Sequence, residues 1–417
     1  MRRLGFDRRV DGSWSWVVTG AASSLLFMAY GVALSFGVFF PALATAFEAD
    51  RAATSLVFSI IGGLYSTLGI VSGPAADRFG TRPVCLFGIV AMGLGLIYAG
   101  TATALWQVYL GFGAGVSLGM GCNFAPANAG LQRWVAKRRG LASGIASTGI
   151  GISILTMPAI IALMIEAQGW RASMTGLGLA TLTIGGLAAL LMGDPPRQPR
   201  PVLPGGSARP AAFDLRRALL SRGFVMLYLS SMFCCVGVFI PFVHLVAYAV
   251  DHGIGKQTGV YLVAVIGTFS IVGRLVLTAA SDWLGRRNTL AVMYAAMGAG
   301  LLLWYAAALG DGVSIPMLAL FTVLFGLGYG GYVAMVAPIV AVYFGIERIG
   351  SVLGIFMSSI AIGAAAGPWL MGYAFDHWGS YDLPIVVSGL LNLAAFVVVL
   401  WMPPRPYPET AFAGRDG

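Results

Sequence analysis

Twelve stretches of this chain carry about 20 or more predominantly apolar residues, each bounded by charged residues or Pro/Gly clusters. A helix of that length crosses the roughly 30 Å hydrocarbon layer of a bilayer, and no soluble domain can cover that many such segments. The runs fall near 16–40, 54–76, 83–102, 104–130, 140–165 and 171–192, then 222–250, 257–280, 288–309, 313–343, 350–373 and 383–402. Outer-membrane barrels would instead show short alternating segments of about 10 residues. Only 41 charged side chains, 25 Lys+Arg and 16 Asp+Glu, must serve 417 residues with a mean hydropathy of +0.84. That excludes a soluble globular protein, a disordered chain and a nucleic-acid binder, despite a net charge of +9. The predicted class is an all-α membrane protein with twelve transmembrane helices.

One segment breaks the pattern. Residues 193–221 hold Pro195, Pro196, Pro199, Pro201, Pro204 and Pro210 among arginines, and read as a hydrophilic linker. The chain therefore divides into an N-terminal six-helix bundle (1–192), the linker (193–221) and a C-terminal six-helix bundle (222–417). The long seventh and tenth runs are expected to bend at Pro241 and Pro338. Arg51, Arg171 and Lys256 lie in loops on one side, and every other Lys or Arg except Arg274 lies on the other. The positive-inside rule then puts both termini and the linker in the cytoplasm. The basic first ten residues lead into a run long enough to span, so no cleaved signal is expected. Cys85, Cys122, Cys234 and Cys235 sit inside apolar runs with no disulfide or metal spacing.

The two halves repeat each other. Asp77-Arg78-x-Gly80-x-Arg82 after the second run returns as Asp282-x-x-Gly285-Arg286-Arg287 after the eighth, and Arg139-Gly140-x-x-x-Gly144 returns as Gly350-x-x-x-Gly354. Two pseudo-symmetric bundles are the build of transporters that rock around a central site. An acid at a helix end with bases just beyond it supplies groups that pair across one face and separate when the bundles part. Asp77, Arg78, Arg82, Asp282, Arg286 and Arg287 are thus read as a gating element. Glycines such as Gly111, Gly115, Gly119, Gly326, Gly328 and Gly330 read as close-packing surfaces between helices. No nucleotide-cradling motif accompanies them.

The Gly73…Asp77-Arg78-x-Gly80-x-Arg82 element resembles the loop signature of the major facilitator superfamily. Asp11-Gly12-Ser13-Trp14-Ser15-Trp16 matches the Asp-Gly-x-Trp-x-Trp signature of the monocarboxylate transporter family, and Trp134-x-x-Lys137-Arg138-Arg139-Gly140-Leu141-Ala142-x-Gly144 resembles that family's second signature. The short linker and tails resemble bacterial members, including the related oxalate/formate exchangers. The resemblance implies the major facilitator fold, a bacterial inner membrane and transport of small carboxylates.

Every carboxylate falls in a loop, a tail or a helix end, whereas Arg274 lies well inside the eighth run, roughly 12 Å of helix from Asp282. Burying a guanidinium costs at least about 2.5–3.5 kcal/mol on insertion scales. An anionic ligand would neutralise it, and a planar carboxylate matches its fork. A dicarboxylate would want a second buried cation, so one Arg favours a monocarboxylate. His244 in the seventh run is a proton-carrying candidate, with Asp251 two turns further on. By the resemblance, Arg274 falls at the family's substrate-binding Arg. The Lys and Asp that accompany it in proton-coupled animal members are Leu34 and Ser270 here. Asn123 matches a family helix-4 position, and Tyr329 an aromatic position tied to selectivity. Tyr332, Ser358 and Ser359 join them as polar residues within spans. The expected function is alternating-access transport of small organic anions, a lactate- or pyruvate-like monocarboxylate with a proton. The alternative is organic-anion exchange without proton coupling. Neither needs a cofactor or metal, the partners are the carboxylate and the bilayer, and the inventory lacks the nucleophile–base pair or paired acids of an enzyme.

Overall fold

The computed structural model describes residues 10–135, 139–193, 215–310, 312–344 and 349–403. Among them, eleven helices are long and apolar enough to cross a membrane, and one of these, Gly144–Leu191, is 48 residues long. It contains Gly169 at φ 78°, where the chain reverses, so the passes number twelve among the described residues. Span 1 is Ser13–Leu34 with Phe36–Ala46, span 2 Arg51–Phe79 and span 3 Thr81–Gly100. Span 4 runs from Leu105 to Trp134 through a π-helical turn at Tyr109–Ala114; spans 5 and 6 are 139–168 and 170–191. Span 7 is Arg222–Val238 with Ile240–Asp251, span 8 Lys256–Leu284 and span 9 Arg286–Ala306. Spans 10, 11 and 12 are Ile315–Phe344, Ile349–Trp378 and Asp382–Leu400. The expected linker falls largely on 194–214, outside the described residues.

Matched breaks interrupt spans 1 and 7. Span 1 is broken at Ser35 and span 7 at Phe239, nearly the same offset as the repeated loop motifs. Pro241 explains the second break, since its ring and missing N–H suit the first turn of a new helix. Span 10, expected to bend at Pro338, continues as one helix through it. The repeated loop glycines have a conformational reason: Gly80 (φ 94°) and Gly285 (φ 78°) each end one span and begin the next in a backbone region that favours glycine.

In lipid, apolar side chains gain nothing by leaving one apolar medium for another, so helices associate by close backbone approach. A Cβ on Gly330 of span 10 would sit 1.9 Å from the Ser270 carbonyl of span 8, and one on Gly273 would sit 2.1 Å from the Leu327 carbonyl. The same device joins the first six spans to the last six. Gly37 faces the Phe242 carbonyl (2.4 Å), Gly62 faces Ala364 (2.5 Å) and Gly267 faces the Leu155 amide (2.4 Å).

Two signature segments meet at the face that carries the first and last described residues, here the terminal face. The Asp11 N–H and the Ser15 hydroxyl both donate to the Trp134 carbonyl, each at 2.9 Å, and the Trp134 indole donates to the Gly193 carbonyl. The start of span 1 is thereby tied to the ends of spans 4 and 6. Three loop arginines on this face bond within their own set of six spans. Arg82 donates to Met192 O and Arg287 to Met402 O, mirror-related contacts, while Arg286 donates to Pro338 O. Arg78 is exposed beside Phe79. The Asp77 and Asp282 side chains lie outside the described ones.

Gly330→Ala is expected to destabilise the protein by about 1–3 kcal/mol through overpacking, read as a lowered thermal-unfolding midpoint in detergent. Gly69→Ala, where a Cβ meets nothing within 4 Å, is expected to leave it unchanged.

Candidate functional site

Arg274 projects from span 8 into the centre of the molecule and is 6% exposed. Its Nη1 donates to the backbone carbonyl of Ser147 on span 5, a bond from the last six spans to the first six. Its Nε and Nη2 have no partner among the described residues. These two nitrogens lie on the same edge of the planar guanidinium, the edge that meets a carboxylate with two parallel N–H donors. No acidic side chain is paired with Arg274 among the described residues.

Two tyrosines lie near that cation. Tyr30 of span 1 and Tyr329 of span 10 lie within electrostatic reach of the guanidinium. Tyr30 meets Tyr65 of span 2 at 6.4 Å and Phe124 of span 4 at 5.8 Å between ring centroids. Tyr329 meets Phe242 of span 7 at 5.2 Å and lies parallel to Phe325. These rings pack the two tyrosines in place, and tyrosine hydroxyls can offer dipoles to a charged group. Leu34 lies one helical turn beyond Tyr30 and is buried, and Ser270 lies one turn before Arg274 with its hydroxyl buried and unpartnered among the described residues.

Four other anticipated residues form hydrogen bonds within their own set of six spans. Asn123 donates to Gly119 O at 2.6 Å in its own helix, and its amide faces Gly88 of span 3, inside the first six spans. Tyr332 shares hydrogen bonds with Ser231 (2.7 Å) and Cys235 (3.4 Å) of span 7 and packs on Tyr294. Ser358 bonds the Tyr228 hydroxyl at 3.0 Å and its own helix, and Ser359 bonds Phe356 O. These hydroxyls and amides lie among neighbouring helices of one set of six spans.

His244 lies in the second segment of span 7. Its Nε2 is 2.9 Å from the Pro368 carbonyl of span 11. A carbonyl only accepts, so Nε2 carries the hydrogen and Nδ1 presents a lone pair, buried and without a partner among the described residues. The ring packs on Phe40 (5.1 Å) and Tyr381 (6.0 Å). Asp251 ends the same span at the face opposite the termini, the far face. It pairs with Arg51 Nη2 of span 2 at 2.5 Å and accepts from the Tyr381 hydroxyl at 2.8 Å. Burial pushes the Tyr381 phenol well above its ordinary value, so it serves as a neutral donor.

Tyr30, Tyr65 and the Ser147 carbonyl were not singled out in the sequence. Tyrosines within apolar spans look like packing residues, and a backbone acceptor leaves no mark in sequence. Arg51 carried a clearer signal as one of three cations on its side, with Asp251 bordering the same side.

The centre so built is a buried cation with a tyrosine from each set of six spans in electrostatic reach. The sequence matches the Major Facilitator Superfamily over residues 21–315 and again over 284–416. Among solved structures, a D-xylose-proton symporter superposes with a TM-score of 0.72 at 15% identity, covering 94% of this chain and 98% of its own. A POT family transporter superposes with a TM-score of 0.75 at 14% identity, covering 93% and 96%. The chain therefore has the twelve-helix major facilitator fold and is a membrane transporter, not an enzyme. Human monocarboxylate transporter 11 is 32% identical over 94% of this chain and 84% of its own length. Rat monocarboxylate transporter 13 is 30% identical over 94% and 90%. Within the superfamily, the chain belongs to the monocarboxylate transporter family.

Tyr329→Phe removes a hydroxyl beside Arg274 and is expected to raise the KM for a carried carboxylate several-fold at unchanged maximal rate, measured as uptake per folded protein. Asn123→Ala is expected to leave that KM within about twofold, since its amide bonds its own helix.

Proposed function

We propose that the chain carries small monocarboxylates across a bacterial inner membrane by alternating access, with Arg274 as the anion site. The observation that carries this reading is the free Nε–Nη2 edge of a buried guanidinium with no described acid against it. A carboxylate docking there forms two charge-assisted hydrogen bonds and cancels a charge that is costly at the midplane. Tyr30 and Tyr329 orient it, and the aromatic wall of Tyr65, Phe124 and Phe242 accommodates its apolar body. The names of the relatives, monocarboxylate transporters, support this substrate class. With the basic loops in the cytoplasm, the terminal face is the inner one. Described hydrogen bonds at the far face and at Arg274 join the two sets of six spans. A far face closed in this way is expected of an inward-facing state.

A proton moves with the carboxylate in this reading, and His244 Nδ1, buried and unpartnered among the described residues, is its acceptor on span 7. Exchange without a proton is the second reading, and Leu34 and Ser270 favour it. They stand where proton-coupled animal members carry titratable side chains, and Asp251 is already engaged with Arg51.

The test is uptake of labelled carboxylates into proteoliposomes. Arg274→Gln is expected to abolish saturable uptake, about 100-fold or more, and Arg274→Lys to retain charge but lose the fork, with uptake lowered roughly tenfold or more. Normal transport by Arg274→Gln would rule out the anion site. An inward proton gradient is expected to drive accumulation that His244→Ala removes. Uptake indifferent to the gradient but stimulated by internal carboxylate would establish exchange instead.

A further inference from the structure

Apart from the central cation, a second concentration of charge linking the two sets of spans surrounds Arg51 at the far face. Asp376 of span 11 accepts from the backbone N–H of Arg51 (2.9 Å) and of Ala52 (2.7 Å), the exposed donors at the start of span 2. Asp50 caps the same helix start through the Ala53 N–H at 2.6 Å. The Arg51 guanidinium pairs with Asp251 of span 7 and lies over the ring of Phe375 at 4.2 Å, with Tyr381 at 5.6 Å and Phe40 at 5.9 Å. Gly372 lets span 11 come this close: a Cβ there would sit 2.6 Å from the Arg51 carbonyl. One residue of the first six spans is thus held by its backbone to span 11, by its side chain to span 7 and by its cation to the rings around both.

These contacts cannot survive separation of span 2 from spans 7 and 11. We propose that Arg51, Asp251, Asp376 and Tyr381 form the far-face latch of the transport cycle, a cluster made when that face shuts and broken before it opens. Every partner of Arg51 named here except Phe40 comes from the last six spans, so opening leaves its guanidinium to water. The latch therefore biases the balance between the two facing states without touching the carried solute. Its residues act as positioning groups, and this inference holds whatever solute Arg274 binds.

The experiment reads the distance across the far face with no solute added. Spin labels are placed at Thr45→Cys at the end of span 1 and Gln257→Cys at the start of span 8, both exposed. The protein is reconstituted in lipid nanodiscs, and the chain without the two new sites controls for labelling of its four buried cysteines. The latched chain is expected to give a dominant short separation. Arg51→Gln and Asp251→Asn are each expected to raise the longer-distance population several-fold. The exchanged pair Arg51→Asp with Asp251→Arg is expected to return it towards the short separation. Asp251→Asn keeps an acceptor for Tyr381, so it carries the test even where Arg51→Gln fails to fold. An unchanged distribution in Asp251→Asn, or an exchanged pair no closer to the starting chain than the single variants, would overturn the latch. A latch that passes while Arg274→Gln transports normally would condemn only the anion site.

Discussion

A guanidinium inside a hydrocarbon slab needs its N–H donors answered and its charge offset. Arg274 receives one backbone carbonyl, that of Ser147, and two tyrosines whose hydroxyl dipoles reach it. The protein thus tolerates a local electrostatic deficit at its centre. A buried acid would remove that deficit and stabilise the fold, but it would also occupy the edge a carboxylate needs. The surrounding architecture accommodates this compromise. Broken spans 1 and 7 line the centre, aromatic rings replace solvent, and glycines bring span 10 against span 8 to hold the helix that bears the cation.

The two faces are held by different means. At the terminal face, Arg82 and Arg287 fasten each set of six spans to itself by capping the ends of spans 6 and 12. The Asp11–Ser15–Trp134 contacts do the same for spans 1, 4 and 6. None of these bonds resists separation of the two sets. At the far face, Arg51 and its carboxylates bond across the divide, and the glycine contacts of Gly37, Gly62 and Gly372 permit that approach. The described contacts of Arg82 and Arg287 bind each set of six spans to itself, and those of Arg51 join the two.

The spans were legible because length and hydropathy leave a strong signal in a chain that must satisfy its backbone inside lipid. The loop repeat was legible too, since Gly80 and Gly285 occupy backbone conformations other residues avoid. Arg274 stood out as a lone charge within a span. The break at Ser35 was not legible: no proline marks it, and only its partner at Phe239 lies beside one. Nor did the π-helical turns of spans 4 and 6 announce themselves. The direction of a polar side chain was hidden for the same reason. Asn123, Tyr332 and Ser358 are polar residues in spans, like Tyr329, and helix register against neighbours decides which face the centre. Arg51 and Asp251, 200 residues apart, meet only through the tertiary fold.

The placement of ionisable groups bears on how solute and conformation are linked. On the proposed reading, Leu34 and Ser270 stand where proton-coupled animal members carry a Lys and an Asp near the substrate Arg, so solute occupancy weighs most in the net charge beside Arg274. The carboxylates of Asp251 and Asp376 lie instead at the far face, engaged with span 2. A state with Arg274 unoccupied then differs from an occupied one by a whole charge at the midplane, whereas the far face exchanges one set of charge contacts for water. Because the first quantity is paid in low dielectric and the second at a wet surface, occupancy of the centre dominates the balance and the far-face cluster trims it.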